Sequence, residues 1–132
     1  MAWYDEAVFY HIYPLGLTGA PKQNTYGEPV HRLNTLLPWI GHIKEIGCNA
    51  IYIGPLFESV GHGYETTDYK KLDTRLGTNE DLTCFLQALF GKSCKIFLEN
   101  VASPNWRKLQ SLNWQLSCQL YSHCRPNIVV TA

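Results

Sequence analysis

The chain contains three runs in which apolar, β-branched and aromatic residues follow one another almost without interruption. They are Val8 to Tyr13, Ala50 to Ile53 and Lys95 to Leu98. A strand that is buried on both faces has this near-continuous pattern, whereas a half-exposed strand alternates apolar and polar residues. We therefore expect three strands of a parallel sheet.

Two amphipathic helices are predicted between these strands. The first starts near Pro38, which suits a first turn, and ends before Gly47, which suits the position just past a helix. The second follows Thr78, whose side chain can cap the helix together with Asp81 three residues on. Apolar residues at helical spacing give each helix one face to bury: Ile40 and Ile43 in the first, and Leu82, Phe85, Leu86 and Leu89 in the second.

The links between these elements differ in length in a consistent way. The strand-to-helix links, roughly 15–37 and 54–77, are long, whereas the helix-to-strand links, 47–49 and 91–93, are short. A (β/α)8 barrel has this asymmetry because its site is built from loops at the carboxyl ends of the strands. The predicted fold class is α/β, a truncated TIM (β/α)8 barrel with the order β-α-β-α-β. A small doubly wound domain is the alternative, but residues 15–20 do not form its G-x-G-x-x-G turn.

The last thirty or so residues differ in composition from the rest. No aspartate or glutamate follows Glu99, and Ser, Gln, Cys, Asn and Trp are frequent. The pattern predicts a third helix through Leu109, Leu112, Leu116 and Leu120, and a short strand from Ile128 to Thr131. We divide the chain into residues 1–102, the barrel part, and residues 103–132, a divergent tail that is irregular or helical.

The charge balance and the cysteine content limit the binding partners and the cellular location that we expect for this chain. Eleven basic residues balance eleven acidic ones, which disfavours nucleic acid and anionic membrane surfaces. No apolar stretch approaches the roughly 18 residues of a membrane span, and the first residues lack a basic and apolar leader pattern. The five cysteines are odd in number and form no C-x-x-C pair, so we expect reduced thiols and a cytoplasmic protein. A zinc site at Cys118, His123 and Cys124 has no standard spacing and is discounted.

Several ordered motifs carry a resemblance to a known family. The chain has Phe9-Tyr10-His11-Ile12-Tyr13-Pro14, then Gly47-Cys48-Asn49-Ala50-Ile51-Tyr52-Ile53-Gly54-Pro55-Leu56-Phe57. It continues with His62-Gly63-Tyr64-Glu65-Thr66-Thr67-Asp68-Tyr69 and with Leu72-Asp73-Thr74-Arg75-Leu76-Gly77. In this order they resemble the start of the catalytic barrel of glycoside hydrolase family 13, the α-amylase family. The resemblance covers about residues 3 to 82.

The resemblance implies a retaining hydrolase or transglycosylase that acts on α-glucosidic bonds. Such chemistry needs two carboxylates about 5 Å apart, a nucleophile and a general acid/base. In the family these come from the fourth and fifth strands, so no residue here is assigned a catalytic role. The family's D-x-V-x-N-H pattern after the third strand is altered as well, with Glu99, Ser103 and Pro104 in place of its aspartate, asparagine and histidine. We therefore expect a fragment that is inactive alone, with no cofactor and no metal.

The resemblance also implies a sugar-binding loop. Tyr64 corresponds to an aromatic residue that packs against a glucose ring, and His62 and Asp68 are the further candidates for substrate binding. The alternative is that Tyr64 packs in the fold and Asp68 shapes a turn. Asp73, Arg75 and Gly77 are predicted to shape the turn before the second helix.

Function therefore has three open interpretations. The chain is part of a hydrolase acting on an α-glucan or maltooligosaccharide, an inactive truncated product, or a non-catalytic carbohydrate-binding or interaction remnant. A separate carboxylate pair drawn from Glu58, Glu65 and Asp68 is a weaker hypothesis, because nothing in the sequence encloses these acids. Apolar strands without barrel partners also predict self-association through open sheet edges.

Overall fold

The computed structural model describes residues 3–98 and 128–130. The strands are β1 (Phe9–Ile12), β2 (Ala50–Ile53), β3 (Phe57–Ser59), β4 (Thr66–Leu72), β5 (Lys95–Leu98) and β6 (Ile128–Val130). The α-helices are α1 (Pro14–Leu17), α2 (Trp39–Glu45) and α3 (Asn79–Gly91), and 3₁₀ helices span Trp3–Glu6 and Arg32–Leu36. The three predicted strands and two predicted helices are confirmed, and β1 is shorter than predicted by one residue at each end.

The main sheet is parallel and has the strand order β1-β2-β5-β6. Tyr10 pairs with Ile51, Ile51 with Ile96, and Ile96 with Ile128. The short strand predicted at 128–131 is confirmed, and it forms a fourth strand of the sheet, where the predicted order had three. Each strand lies beside the next parallel strand along the chain, as in the opening part of a (β/α)8 barrel.

The two faces of this sheet have different surroundings. Ile12 and Ile51 belong to one buried apolar cluster that also contains Ile43 of α2. His11 and Tyr52 are register partners whose rings lie 4.6 Å apart between centroids, and His11 is exposed. Because successive strand residues point to opposite faces, α2 packs on the face that holds Ile12 and Ile51, opposite to the face that holds His11 and Tyr52.

Helix α2 follows the predicted pattern closely. Pro38 directly precedes it, and Ile40 and Ile43 are buried. Gly47 comes just after the end of the helix with φ of +89°, in the left-handed region where a glycine has no steric penalty. The helix therefore ends where the sequence predicted, and the chain turns directly toward β2.

Helix α3 begins with the predicted capping box. The backbone N–H of Asp81 donates to Thr78 Oγ1 at 3.3 Å, and the N–H of Thr78 donates to Asp81 Oδ2 at 2.8 Å. A side chain at Gly77, where φ is +144°, would approach the Asp81 carboxylate to 2.3 Å, so glycine is required there. The predicted apolar face is confirmed, since its four residues are buried: Leu82, Phe85, Leu86 and Leu89.

The second strand-to-helix link contains a structure that the sequence analysis treated as loop. Strands β3 and β4 pair antiparallel, with Phe57 opposite Leu72 and Ser59 opposite Thr66. The expectation that this link is a loop was wrong. Strand β4 is mostly polar and half-exposed, and β3 has only three residues. Neither strand has a local pattern strong enough to predict it, and the pairing depends on residues distant in sequence.

Several predictions concern residues beyond those described. The third helix through Leu109 to Leu120, the division at residue 102, the altered motif at 99–104 and the discounted zinc site all lie there. In the part of the chain that the structure does describe, no helix is both long enough and apolar enough to cross a membrane.

Candidate functional site

A cleft of about 530 Å³ lies beside the carboxyl ends of β1 and β2. One wall comes from the first strand-to-helix link, at Leu15, Gly16 and 20–23, and the other from the second link, at Gly61, His62 and Glu65. Tyr13, directly after β1, and Arg75 complete the lining. This is the end of a (β/α)8 barrel at which substrates bind, so the cleft is the candidate site.

A contact between His62 and Glu65 joins two residues of the second wall of the cleft. His62 Nε2 lies 3.0 Å from Glu65 Oε1, and the N–H of Gly61 donates to Glu65 Oε2 at 3.3 Å. From the first link, Tyr13 Oη donates to the His62 carbonyl oxygen at 2.7 Å. Glu65 therefore contacts the imidazole of His62, and Tyr13, directly after β1, holds the His62 backbone.

The ring of Tyr64 stands next to this pair. Its centroid lies 5.6 Å from that of His62, and the residue is 47% exposed. Tyr64 itself is not among the residues that line the cleft, so its ring lies beside the cleft. A half-exposed aromatic face next to fixed polar groups can pack against the apolar face of a sugar.

Gly63 lets this loop approach the body of the protein. Its φ is +106°, and a Cβ there would lie 2.2 Å from Pro55 Cγ and 3.4 Å from Leu15 Cδ1. Only glycine fits both the conformation and the space. Gly63 belongs to one of the family motifs, but the sequence suggested no role for it, because its contact with Pro55 is visible only in the folded chain.

Asp68 lies on β4, where its Cα pairs with that of Glu58 on β3. Its Oδ1 accepts a hydrogen bond from the Lys70 N–H at 2.8 Å, and the residue is exposed and does not line the cleft. Glu58 is buried and pairs with Lys71, with 3.0 Å between Oε2 and Nζ. These contacts favour structural roles for Asp68 and Glu58. They disfavour the hypothesis that either acid forms a separate carboxylate pair with Glu65.

A buried ion pair lies against the cleft. Asp73 is 0% and Arg75 is 5% exposed, and they form two parallel bonds, Nε to Oδ1 at 2.9 Å and Nη2 to Oδ2 at 2.8 Å. Ser59 Oγ and the carbonyl oxygens of Pro21 and Gly61 also accept from Arg75. The prediction that Asp73 and Arg75 shape this turn is confirmed, while the reach of Arg75 into both links was not anticipated.

The described residues contain no group of three or more His, Cys, Asp or Glu side chains placed to hold a metal ion. Cys48, Cys84 and Cys94 are free thiols. Burial raises the pKa of the Cys94 thiol, and the neighbouring Cys48 raises it further while Lys44 lowers it. The thiol of Cys94 therefore stays protonated and unreactive at neutral pH.

Comparison with known proteins gives the same assignment along most of the chain. The model of the α-amylase catalytic domain matches residues 23–106. An oligo-1,6-glucosidase from Heyndrickxia coagulans is 30% identical over 103 residues, which cover 76% of this chain and 18% of that protein. Alpha-amylase 2 from Dictyoglomus thermophilum is 32% identical over 109 residues, 78% of this chain and 19% of that protein. The chain thus spans less than a fifth of the length of these relatives.

Solved structures match the fold as well. The cyclic α-maltosyl-(1→6)-maltose hydrolase of Arthrobacter globiformis has a TM-score of 0.58 and 27% identity, covering 73% of this chain and 25% of that one. An isomaltulose synthase mutant from Erwinia rhapontici, solved with its natural substrate sucrose, has a TM-score of 0.62 and 25% identity, covering 76% and 18%. Both similarities are to the same opening part of a barrel.

Proposed function

This chain belongs to the α-amylase family of glycoside hydrolases, and from that premise we propose that it forms the first part of a barrel that acts on α-glucans. The cleft between its first two strand-to-helix links is the proposed sugar-binding surface, and a maltooligosaccharide is the proposed ligand. The observation that carries this proposal is the half-exposed ring of Tyr64 beside the His62–Glu65 pair. The names of the relatives, an amylase and an oligo-1,6-glucosidase, support the same class of ligand.

The proposed contacts divide by chemistry. Tyr64 offers an aromatic face on which the C–H face of a glucose ring can pack. His62, whose side chain contacts Glu65 and whose carbonyl oxygen accepts from Tyr13, presents an imidazole edge to hydroxyl groups. Asp68 remains a proposed hydroxyl ligand because it is exposed, although its Oδ1 already serves the turn at Lys70.

We propose that these 132 residues bind a glucan without hydrolysing it. Retaining hydrolysis needs a nucleophile and a separate acid/base about 5 Å apart across the scissile bond. Glu65 is the carboxylate that lines the cleft, and it is already paired with His62 and with the N–H of Gly61. The barrel part is proposed to comprise residues 1–102 and the tail residues 103–132. The free thiols support a cytoplasmic location.

The proposal is tested by titrating the full chain with maltoheptaose in a calorimeter, beside an assay for released reducing ends. Tyr64→Ala should weaken the affinity about tenfold, the loss expected for one aromatic packing contact. Tyr26→Ala is the matched control, because Tyr26 is 49% exposed and lies in the first link, whereas the ring of Tyr64 lies next to that of His62. It should leave the affinity within about twofold of the starting chain.

Each outcome decides between the interpretations. Binding without release of reducing ends supports a carbohydrate-binding role, and release of reducing ends contradicts the non-catalytic part of the proposal. Absence of binding by a folded chain overturns the sugar-binding surface. Equal losses for Tyr64→Ala and Tyr26→Ala show that the Tyr64 ring is not the contact.

A further inference from the structure

The guanidinium of Arg75 is saturated with hydrogen bonds inside the fold. Arginine carries five N–H donors in a planar fork, and five acceptors lie within 3.0 Å of the Arg75 nitrogens. They are both Asp73 carboxylate oxygens, Ser59 Oγ and the carbonyl oxygens of Pro21 and Gly61. The side chain is 5% exposed. No donor of this guanidinium is left for a ligand, so Arg75 acts on the cleft only through the chain that it holds.

The two carbonyl groups belong to opposite walls of the cleft. Pro21 lies in the first strand-to-helix link, and its oxygen accepts from Arg75 Nη1 at 2.9 Å. Gly61 lies in the second link, and its oxygen accepts from the same nitrogen at 2.7 Å. One nitrogen atom therefore bonds to both walls of the cleft.

The wall at Gly61 leads directly to the proposed sugar contacts. The N–H of Gly61 donates to Glu65 Oε2, and Glu65 Oε1 pairs with His62, the residue that follows Gly61. A shift of Gly61 moves both ends of this pair. The orientation of the imidazole thus depends on where Arg75 holds the Gly61 carbonyl.

Stability alone is a weak reason for such an arrangement. A buried ion pair loses about as much free energy through desolvation as it regains by attraction, and apolar side chains of similar volume often stabilise equally well. Asp73 and Ser59 instead fix the plane and direction of the guanidinium, which is a geometric effect.

We propose that Arg75 is a positioning residue, which sets the width of the cleft and the orientation of the His62–Glu65 pair for a bound α-glucan. This inference rests on the proposed sugar-binding function, but its structural part can be measured without sugar. Lysine cannot replace the arginine, because its ammonium group has three donors for these five acceptors and lacks the planar fork that bonds both Asp73 oxygens.

The test compares Arg75→Lys with Arg32→Lys in the full chain. Arg32 donates to the backbone oxygen of residue 75 and does not line the cleft, so the same exchange there is a matched control. Backbone hydrogen exchange at residues 61–65, followed by NMR without sugar, reports the wall itself. Titration with maltoheptaose reports the proposed binding.

Arg75→Lys should speed hydrogen exchange at residues 61–65 about tenfold more than it speeds exchange in α3. It should also weaken maltoheptaose binding about tenfold. Arg32→Lys should change the exchange rate and the affinity by less than about threefold each. A folded Arg75→Lys chain with unchanged exchange at 61–65 overturns the inference. If the starting chain binds no maltoheptaose, the proposed function fails while the exchange result still decides the role of Arg75.

A second variant covers the case in which Arg75→Lys does not fold. Ser59→Ala removes one acceptor of the guanidinium and keeps the ion pair with Asp73. It should speed exchange at residues 61–65 about threefold, selectively over α3. Unchanged or uniformly faster exchange contradicts the positioning role and leaves Arg75 a general element of stability.

Discussion

Replacing Asp81 with alanine should destabilise the fold by about 2 kcal/mol, because one carboxylate serves both a helix cap and a tertiary contact. Asp81 Oδ2 accepts from the Thr78 N–H at 2.8 Å and lies 2.5 Å from His31 Nδ1, and Oδ1 accepts from Asn34 Nδ2 at 3.2 Å. Loss of a capping interaction costs about 1 kcal/mol. The contacts with His31 and Asn34 are exposed and together add about another 1 kcal/mol.

The contribution of Asp81 should depend on pH in a defined direction. Burial raises the pKa of Asp81, but the hydrogen bonds from His31, the Thr78 N–H and Asn34 outweigh it and hold the pKa below its ordinary value. A lowered pKa in the folded state stabilises the fold above the ordinary value, about 3.9. The difference between the starting chain and Asp81→Ala should therefore be constant near neutral pH and shrink as the pH falls below about 4.

Urea denaturation followed by tryptophan fluorescence, at a protein concentration that keeps the chain monomeric, measures both effects. Glu80→Ala is the control, because Glu80 is the neighbouring acid in the first turn of α3 and is exposed. Its loss should cost about 0.5 kcal/mol through the helix dipole alone. Equal destabilisation by the two variants, or a difference that persists unchanged at pH 3, refutes the reasoning.

Two further predictions follow from the same structure. Gly63→Ala should destabilise the fold by about 2 kcal/mol in the same assay, since the new Cβ meets Pro55 and the residue has a positive φ. Gly91→Ala should be neutral or stabilising, because Gly91 lies in open space at the end of α3. Val8→Lys should reduce self-association in sedimentation velocity, because Val8 is 54% exposed beside the edge strand β1. Val60→Lys should not reduce it, because Val60 is 45% exposed but lies outside the main sheet. Equal effects of either pair contradict the corresponding explanation.

The hairpin β3–β4 could not be predicted from the pattern of apolar and polar residues. β3 has only three residues and β4 is largely polar, and Phe57 pairs with Leu72 across fifteen positions. The spacing of the predicted strand and helix correctly indicated a long link between β2 and α3. It could not predict pairing, because strand pairing is stabilised by neighbours that are distant in sequence.

The site was predictable only in part, for a related reason. Ordered motifs indicated the loop with His62 and Tyr64, and the structure places His62 in the cleft lining with the ring of Tyr64 next to it, outside that lining. Asp68 belongs to the same motif, but the structure places it on β4 and away from the cleft lining. Position within a motif fixes the order of residues along the chain and leaves the direction of each side chain open.

The sequence by itself determined the features whose stabilising contacts are local. The apolar runs of the main-sheet strands, the apolar faces of α2 and α3, the end of α2 at Gly47 and the capping box at Thr78 are each visible within a few residues of sequence, and each was predicted. Tertiary structure alone decided the contact of His31 with Asp81 and the hold of Arg75 on both cleft walls. The bonds of His31 with Asp81 and of Arg75 with Pro21 join residues about fifty positions apart, and only tertiary packing brings such partners within hydrogen-bonding distance.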